Sequence, residues 1–154
     1  MRPKIYDSFV DSSRFADTLF VFHKNHKDYL NHELAKYNLS LIQAFCVIKI
    51  YENDELSQKD LAGDLYLTKG AITKAVTKLE SNGYLTREKL PEDKRYFVLR
   101  LTDAGKDLIP VMVDINAKWE KELGLTEIDP SFLETFKKLT LKAIDVNKEK
   151  NIES

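Results

Sequence analysis

Residues 57–83 have the sequence SQKDLAGDLYLTKGAITKAVTKLESNG, which predicts two short helices joined by a three-residue turn. Ser57 can cap a helix over 58–65, and Thr68 can cap a second helix over 69–82. The apolar residues of the second helix share one face, and they are Ile72, Ala75, Val76 and Leu79. The opposite face is polar or small and carries Lys69, Gly70, Thr73, Lys74, Thr77 and Lys78. The stretch therefore predicts a helix-turn-helix.

The pattern changes after Gly83, which is suited to end the second helix. Residues 84–89 and 96–101 predict two strands, because apolar and polar residues alternate there. In the second strand, Phe97, Leu99 and Leu101 alternate with Tyr96, Val98 and Arg100. The polar stretch 90–95 between the strands predicts a hairpin tip. A wing is thus expected to follow the helix-turn-helix directly.

Longer helices are predicted on both sides of this region. Apolar residues recur at steps of three or four over 12–37. Ser40 and Gln43 then form a capping box for a helix to about Tyr51, which is apolar over much of its circumference and is expected to be central. Downstream, a helix is predicted over 103–123, with a proline inside it.

A last helix is predicted to start at Pro130, with Asp129 as its cap. Its apolar stripe is Phe132, Phe136, Leu139 and Ala143. The terminal helices carry more Phe and Leu than a winged helix needs, so a second copy of the chain is the simplest cover for them. The expected fold class is mainly α with a small β-wing: a winged helix-turn-helix with N- and C-terminal dimerisation helices.

Composition supports this organisation. The chain has 154 residues, of which 43% are hydrophobic and 32% charged, typical of one helix-rich domain over 1–154. Within it we expect dimerisation helices over 1–37 and 103–154 and a DNA-binding lobe over 38–102. No apolar run approaches the roughly 18 residues of a membrane helix, so a cytoplasmic protein is expected. The single cysteine, Cys46, excludes an intrachain disulfide framework.

Charge is unevenly distributed along the chain. Residues 68–100 carry eight basic and four acidic side chains, whereas 1–67 and 101–154 have net charges of −2 and −3. A local net charge of +4 in an otherwise acidic chain is typical of a surface that binds phosphate. A solvated charged face is the alternative that charge alone leaves open.

The second helix of the helix-turn-helix has the chemistry needed in a DNA major groove. Lys69, Thr73 and Lys74 can donate hydrogen bonds to base or phosphate oxygens, and Gly70 permits close approach of the backbone. In the wing, a carboxylate and a guanidinium stand two residues apart, so Asp93 can hold the arginine in a fixed direction. An arginine at the end of a stiff hairpin suits a narrow minor groove.

Five motifs occur in order and carry a resemblance. They are LSQKDLA at 56–62, KGAITK at 69–74, LESNGYL at 79–85, PEDKR at 91–95 and LTDAG at 101–105. In this order they resemble the MarR family of multiple-antibiotic-resistance regulators, with a match over about 38–125.

The resemblance implies a winged-helix homodimer whose terminal helices form the interface. It also implies a recognition helix in the major groove and a wing arginine in the minor groove, a role that falls by position on Arg95 with Asp93 as companion. Members usually repress transcription, and many release DNA when a small, often phenolic or anionic, molecule binds.

Together these observations predict a DNA-binding surface. Its residues are Thr68, Lys69, Gly70, Thr73, Lys74, Lys78, Arg87, Asp93, Lys94 and Arg95. Two recognition helices related by a twofold axis would meet half-sites about one DNA turn apart, so an inverted-repeat operator is expected.

Three histidines, His23, His26 and His32, fall on the first helix. The first two could share a zinc ion, but no cysteine lies near them in sequence, and residues 103–123 lack the histidines that the resemblance implies for zinc-responsive relatives. No metal site and no cofactor are therefore predicted. An effector pocket is expected to involve His23, Lys24, His26 and Tyr37, with packing in the core as the alternative.

Cys46 lies within the apolar second helix and is expected to be a buried structural thiol. Peroxide-sensing relatives, as the resemblance implies, carry a cysteine near the start of the first helix, where this chain has none. No catalytic motif is present, so an enzyme is disfavoured. The sequence predicts a homodimeric DNA-binding repressor; the alternative is a winged-helix module that binds an acidic protein without sequence-specific DNA binding.

Overall fold

A computed structural model describes residues 9–93 and 96–153, with side chains up to residue 150. Its elements are α1 (Phe15–Ala35), α2 (Leu41–Glu52), α3 (Gln58–Leu65), α4 (Lys69–Ser81), β1 (Leu85–Lys89), β2 (Phe97–Leu101), α5 (Asp103–Leu123), a 3-10 turn (Leu125–Glu127) and α6 (Pro130–Glu153). The order confirms the predicted winged helix-turn-helix flanked by long helices. The first helix begins three residues later than expected, and both strands begin one residue later.

Capping boxes define the starts of α2 and α3. At α2, the amide of Gln43 donates to Ser40 Oγ at 3.3 Å, and the amide of Ser40 donates to Gln43 Oε1 at 3.1 Å. At α3, Ser57 and Asp60 exchange the same pair of bonds at 3.1 and 3.0 Å. These bonds from Ser57 to the carboxylate lower the pKa of Asp60. The sequence predicted only the Ser57 cap of α3. The reciprocal bond was not predicted, because the third helical residue is Asp60 instead of the Glu or Gln that is usual in a capping box.

The turn between α3 and α4 places Tyr66 in the left-handed region, with φ of 55°. The amide of Leu67 donates back to the carbonyl of Ala62 at 3.0 Å, which closes the end of α3. Thr68 then accepts from the amide of Ala71 at 3.2 Å and starts α4, as the sequence predicts. Local hydrogen bonds on both sides of the turn thus determine where α3 ends and where α4 begins.

The core lies under α4. The predicted buried face of this helix is confirmed, since Ile72, Val76 and Leu79 are fully buried and Ala75 nearly so. The other fully buried side chains come from α2, α3 and the two strands, and they are Cys46, Val47, Ile50, Leu61, Leu85 and Leu99. Burial of each large apolar side chain contributes about 1.5–3 kcal/mol, so the core holds α4 firmly in place.

The wing is an antiparallel pair in which Leu85 faces Leu101 and Lys89 faces Phe97. The amide of Leu99 also donates to the carbonyl of Leu56 at 2.9 Å, which fastens the base of β2 to the segment before α3. The predicted alternation in β2 is only partly right. Phe97 is 41% exposed, because it lies at the far end of the hairpin beneath the Lys89 ammonium group, whereas Val98 is buried.

The apolar character of α2 was expected to place it centrally, and this is correct for one side only. Ala44, Cys46, Val47 and Ile50 are buried, in a helix that packs on α4 and β2. Phe45 and Tyr51 are 42% and 57% exposed. Phe45 lies opposite the buried side chains, whereas Tyr51 is exposed in the last turn of the helix.

The end of α4 is tied to the start of α5 through residues 83 and 84. Gly83 has a φ of 79°, which allows the chain to leave the helix sharply. The amide of Thr102 donates to the carbonyl of Tyr84 at 3.1 Å, and Thr102 Oγ1 donates to the carbonyl of Gly83 at 2.6 Å. The same hydroxyl accepts from the amide of Gly105 at 3.1 Å and caps α5. A Cβ on Gly105 would overlap the carbonyl oxygen of Tyr84.

The end of α1 is attached to the same place. Tyr84 Oη donates to the carbonyl of Tyr37 at 3.0 Å, and Asn82 Nδ2 donates to the carbonyl of Asn38 at 3.3 Å. Asn38 itself has a φ of 57°, which turns the chain from α1 toward α2. Residues 82–84 therefore connect α1, α4 and α5.

The chain divides after Asn116 into two compact units. The second unit contains the end of α5, the 3-10 turn and α6, in which the rings of Phe132 and Phe136 stack at 6.1 Å. Asp129 Oδ1 accepts from the amide of Ser131 at 2.9 Å, confirming the predicted cap of α6. Over the described residues, no helix is long and apolar enough to cross a membrane.

We expect Gly105→Ala to lower the free energy of unfolding by about 1–3 kcal/mol, because the added methyl group must displace the Tyr84 carbonyl. Urea unfolding followed by circular dichroism measures the change. Gly63→Ala is the matched control: a Cβ there meets nothing within 4 Å, so the substitution in α3 should be neutral or slightly stabilising. Equal stability of the two variants would contradict the close contact.

Candidate nucleic-acid interface

The exposed face of α4 carries the residues that the sequence predicts for DNA contact. Lys69, Gly70, Thr73, Lys74 and Lys78 are all exposed along one side of the helix. Thr68 lies at its start, where its hydroxyl accepts from the amide of Ala71. The structure therefore brings six of the ten predicted residues together on one element.

This face borders an open groove of about 700 Å³. Its lining residues are Gln43, Gly70, Thr73, Lys74, Thr77, Lys78 and Ser81. Gln43, Thr77 and Ser81 line the groove but are absent from the predicted DNA-binding set. Gln43 was recognised only as a capping residue, and nothing in its spacing from α4 indicates that α2 starts beside the groove.

The groove is electrostatically positive. The ammonium groups of Lys69, Lys74 and Lys78 make no ion pair or hydrogen bond with any residue that the structure describes. Unpaired cations on one helix face are available to an anionic ligand without breaking an internal contact.

Two other basic residues of segment 68–100 are engaged within the protein. Arg87 Nη2 donates to Thr77 Oγ1 at 3.1 Å, and Arg87 Nε lies 3.4 Å from Glu80 Oε2. Arg87 therefore joins β1 to α4. Its place in the predicted DNA-binding set stays a prediction, but its observed contacts hold the wing against the helix.

Arg100 has a similar internal role at the base of the wing. Its Nε lies 3.3 Å from Glu88 Oε2, and its Nη1 contacts both the carbonyl oxygen and the carboxylate of Asp54. It links β2 to β1 and to the loop before α3. Of the other six basic residues of the segment, three lie on the exposed face of α4, and Lys89, Lys94 and Arg95 belong to the wing sequence.

The tip of the wing is described only in part. The carbonyl of Asp93 accepts from the amide of Tyr96 at 3.2 Å, and the amide of Leu90 donates to the carbonyl of Tyr96 at 3.3 Å. These bonds close the hairpin. Lys94 and Arg95 lie outside the described residues, so their predicted roles rest on the sequence.

Comparison with known proteins identifies the family. The MarR family model matches residues 39–97, which span α2 to the start of β2. The transcriptional regulator BilQ of Clostridioides difficile, of helix-turn-helix type, is 30% identical over 116 residues, covering 75% of this chain and 78% of BilQ. The chain belongs to the MarR family. It is also 30% identical to the regulator SarZ of Staphylococcus aureus over 129 residues, covering 80% of this chain and 86% of SarZ.

Solved structures support the same fold. The Staphylococcus aureus MepR–DNA complex superposes with a TM-score of 0.75 at 19% identity, covering 86% of this chain and 97% of MepR. At this identity the likeness concerns the fold. The resemblance found in the sequence motifs is confirmed, and this MarR family chain is a helix-turn-helix transcriptional regulator.

The four residues predicted for an effector pocket do not meet in this MarR family chain. His23, Lys24 and His26 lie on α1, whereas Tyr37 lies beyond its end, roughly 20 Å farther along the helix axis. None of them lines the α4 groove. A second depression, of about 370 Å³, contains none of them either; it is lined by Ile50, Tyr51, Glu52, Asp54, Arg100, Leu101 and Lys106.

Lys24 and His26 make separate local contacts on α1. Lys24 Nζ pairs with Asp28 Oδ2 at 2.6 Å. The ring of His26 stacks on Phe22 at 6.4 Å, and burial together with the charge of His23 lowers the pKa of His26. Among the residues that the structure describes, no three His, Cys, Asp or Glu side chains are grouped to hold a metal ion.

Cys46 is fully buried, as the sequence predicts. Burial raises the pKa of its thiol to about 12, so the nucleophilic thiolate is scarce at neutral pH. The thiol is therefore a packing group of the core under α4.

We expect the native protein to resist alkylation of Cys46 at pH 8, because the thiol is both buried and protonated. Iodoacetamide labelling followed by mass spectrometry should show modification at least a hundredfold slower in buffer than in denaturing urea. Above the ordinary thiol pKa the unfolded state ionises first, so the contribution of this thiol to stability declines as pH rises toward 12. Rapid labelling of the folded protein would contradict the burial.

Proposed function

We propose that this chain acts as a homodimeric, sequence-specific repressor that binds an inverted-repeat DNA operator and acts in the cytoplasm without catalysis. The observation that carries the proposal is the exposed face of α4, where Lys74 and Lys78 line a groove and Lys69 lies at the helix start. None of the three pairs with a residue that the structure describes, and the opposite face of the helix is buried in the core. A rigid helix with free cations is what major-groove binding requires.

Affinity and selectivity come from different residues of this face. Lys69 and Lys78 are placed at the two ends of α4, where they can meet phosphates of the two flanking strands. Thr73 and Lys74 lie between them and can donate to base edges, while Gly70 leaves open space beside the helix. Thr68 caps the amide of Ala71, and the amides of Lys69 and Gly70 at the helix start can donate to phosphate.

The wing completes the proposed DNA surface. Arg95 is assigned to the minor groove with Asp93 directing it, as the resemblance implies, and Lys94 is included in the proposed DNA-binding surface. Support from the structure lies at the base of the wing, where Arg87 and Arg100 tie the strands to α4 and to the α3 loop. A hairpin that is held at its base projects its tip in one direction, as an insertion into the minor groove requires.

The second copy is proposed to cover the apolar faces of the terminal helices. Phe15 and Phe20 of α1 are 60% and 66% exposed, and α6 exposes Phe132, Phe136 and Leu139. Single exposed apolar residues are ordinary, but whole helix faces are typical of subunit interfaces. The regions 1–37 and 103–154 are accordingly assigned to dimerisation and 38–102 to DNA binding.

We extend the proposal to release of DNA by a small phenolic or anionic effector. His23, Lys24, His26 and Tyr37 are its proposed contacts. Because they do not converge within one chain, a pocket that uses all of them needs residues of the second copy. Calorimetric titration with salicylate, as a phenolic anion, tests this against a variant in which Lys24 is alanine.

The defining experiment is selection of bound duplexes from a random-sequence pool at two salt concentrations. An inverted repeat with half-sites about one turn apart supports a sequence-selective dimer. Salt-sensitive binding without enrichment contradicts sequence recognition, and absence of binding favours a module that binds an acidic protein. The slope of the logarithm of the binding constant against the logarithm of the salt concentration gives the number of phosphate contacts.

We expect Arg95→Ala to weaken operator binding at least tenfold while the protein remains folded and dimeric, because the minor-groove contact is lost. Lys74→Ala should weaken binding by a similar factor and also relax base preference. Fluorescence anisotropy with the selected operator measures both changes. Lys148→Ala in α6 removes an equal charge outside the basic segment and should bind normally. Unchanged affinity of Arg95→Ala would remove the wing from the mechanism.

We expect the double variant Phe132→Asp, Phe136→Asp to raise the dimer dissociation constant about a hundredfold or more, since two charges would enter the proposed apolar interface. Sedimentation equilibrium measures it. The control is Tyr66→Asn, which removes an exposed aromatic group outside the terminal helices at a left-handed position that Asn tolerates. A wild-type chain that is monomeric at every concentration would rule out the dimer.

A further inference from the structure

Gln58 connects the two helices of the helix-turn-helix by a side-chain contact that helix capping does not require. It is the first residue of α3, and its Nε2 donates to Thr73 Oγ1 of α4 at 3.3 Å. The start of α3 is already capped by the reciprocal bonds of Ser57 and Asp60. The side chain of Gln58 is therefore free to act on α4.

The contact fixes what Thr73 offers to a ligand. A threonine hydroxyl is both a donor and an acceptor, and it rotates to suit its surroundings. When its oxygen accepts from Gln58, its proton points away from the amide. Thr73 is exposed and lines the α4 groove, so its hydroxyl proton can be donated into that groove.

We propose that Gln58 is a specificity-determining positioning residue, which presents Thr73 to DNA as a hydrogen-bond donor. This inference rests on the proposed function of α4 as the DNA-binding helix. A donor at Thr73 favours a base whose major-groove edge carries only acceptors, namely guanine with N7 and O6 or thymine with O4. Cytosine presents only an amino donor there and is disfavoured, whereas adenine presents an amino donor beside its N7 acceptor.

Substitutions at Gln58 separate this role from a structural one. Gln58→Ala frees the hydroxyl to rotate. Gln58→Glu provides only acceptors at neutral pH, so Thr73 must donate toward α3 and present its lone pair to the groove. Thr73→Val removes the hydroxyl at nearly constant shape and marks the base pair that Thr73 contacts. Asp64→Asn is the control, since Asp64 is exposed on α3 and lies on a different face from Gln58.

The test is selection and sequencing of duplexes with each variant. At the base pair marked by Thr73→Val, the wild-type protein should prefer guanine or thymine over cytosine by about tenfold. Gln58→Ala should reduce this ratio to near unity, and Gln58→Glu should reverse it. The ratio compares bases within one variant, so the general loss of affinity caused by the added carboxylate does not affect it. Asp64→Asn should keep the wild-type ratio.

Two outcomes overturn the inference, and they differ from failure of the proposed function. If Gln58→Ala and Gln58→Glu keep the wild-type base preference, Gln58 does not orient Thr73. If Thr73→Val changes no position of the selected sequence, Thr73 does not contact a base. In both cases the wild-type chain still selects an operator, whereas failure of the proposed function leaves the wild-type chain without one. Circular dichroism melting confirms that each variant is folded.

Discussion

The contact between the Tyr84 carbonyl and the first turn of α5 is the constraint on which the placement of α4 depends. Only a glycine at position 105 allows it, and Thr102 adds bonds to both Gly83 and Tyr84. The Tyr84 hydroxyl bonds the end of α1 from the same place. A shift of α1 or α5 must therefore act on the end of α4, because all three helices meet within a few bonds. This gives the DNA-facing helix a direct mechanical connection to the long helices.

Much of the fold was predictable because its signals are local. The buried face of α4, its cap at Thr68 and its end at Gly83 each depend on residues less than one helix length apart, and all are confirmed. The capping box at Ser40 and the cap at Asp129 are confirmed for the same reason. Amphipathic spacing and helix capping depend on residues that are close in sequence, so both can be recognised from one sequence alone.

The rest depends on contacts between distant parts of the chain. The pairing of Arg100 with Asp54 spans the α3–α4 motif, and that of Arg87 with Thr77 joins a strand to a helix. Charge counting treats both arginines as free cations, which the structure does not support. In the same way, the exposure of Phe97 follows from its place at the far end of the hairpin, which strand alternation alone does not encode.

The unpaired lysines of α4 also affect the protein when no DNA is bound. Lys74 and Lys78 are one turn apart on an exposed helix face, an arrangement that weakens an isolated helix by about 0.2–0.5 kcal/mol. Lys69, near the positive end of the helix dipole, adds to the repulsion. Added salt, which weakens DNA binding, should therefore raise the stability of the protein without DNA, because it screens this repulsion. Repulsion between these lysines thus opposes the helix that contacts the operator, and a polyanion relieves that repulsion.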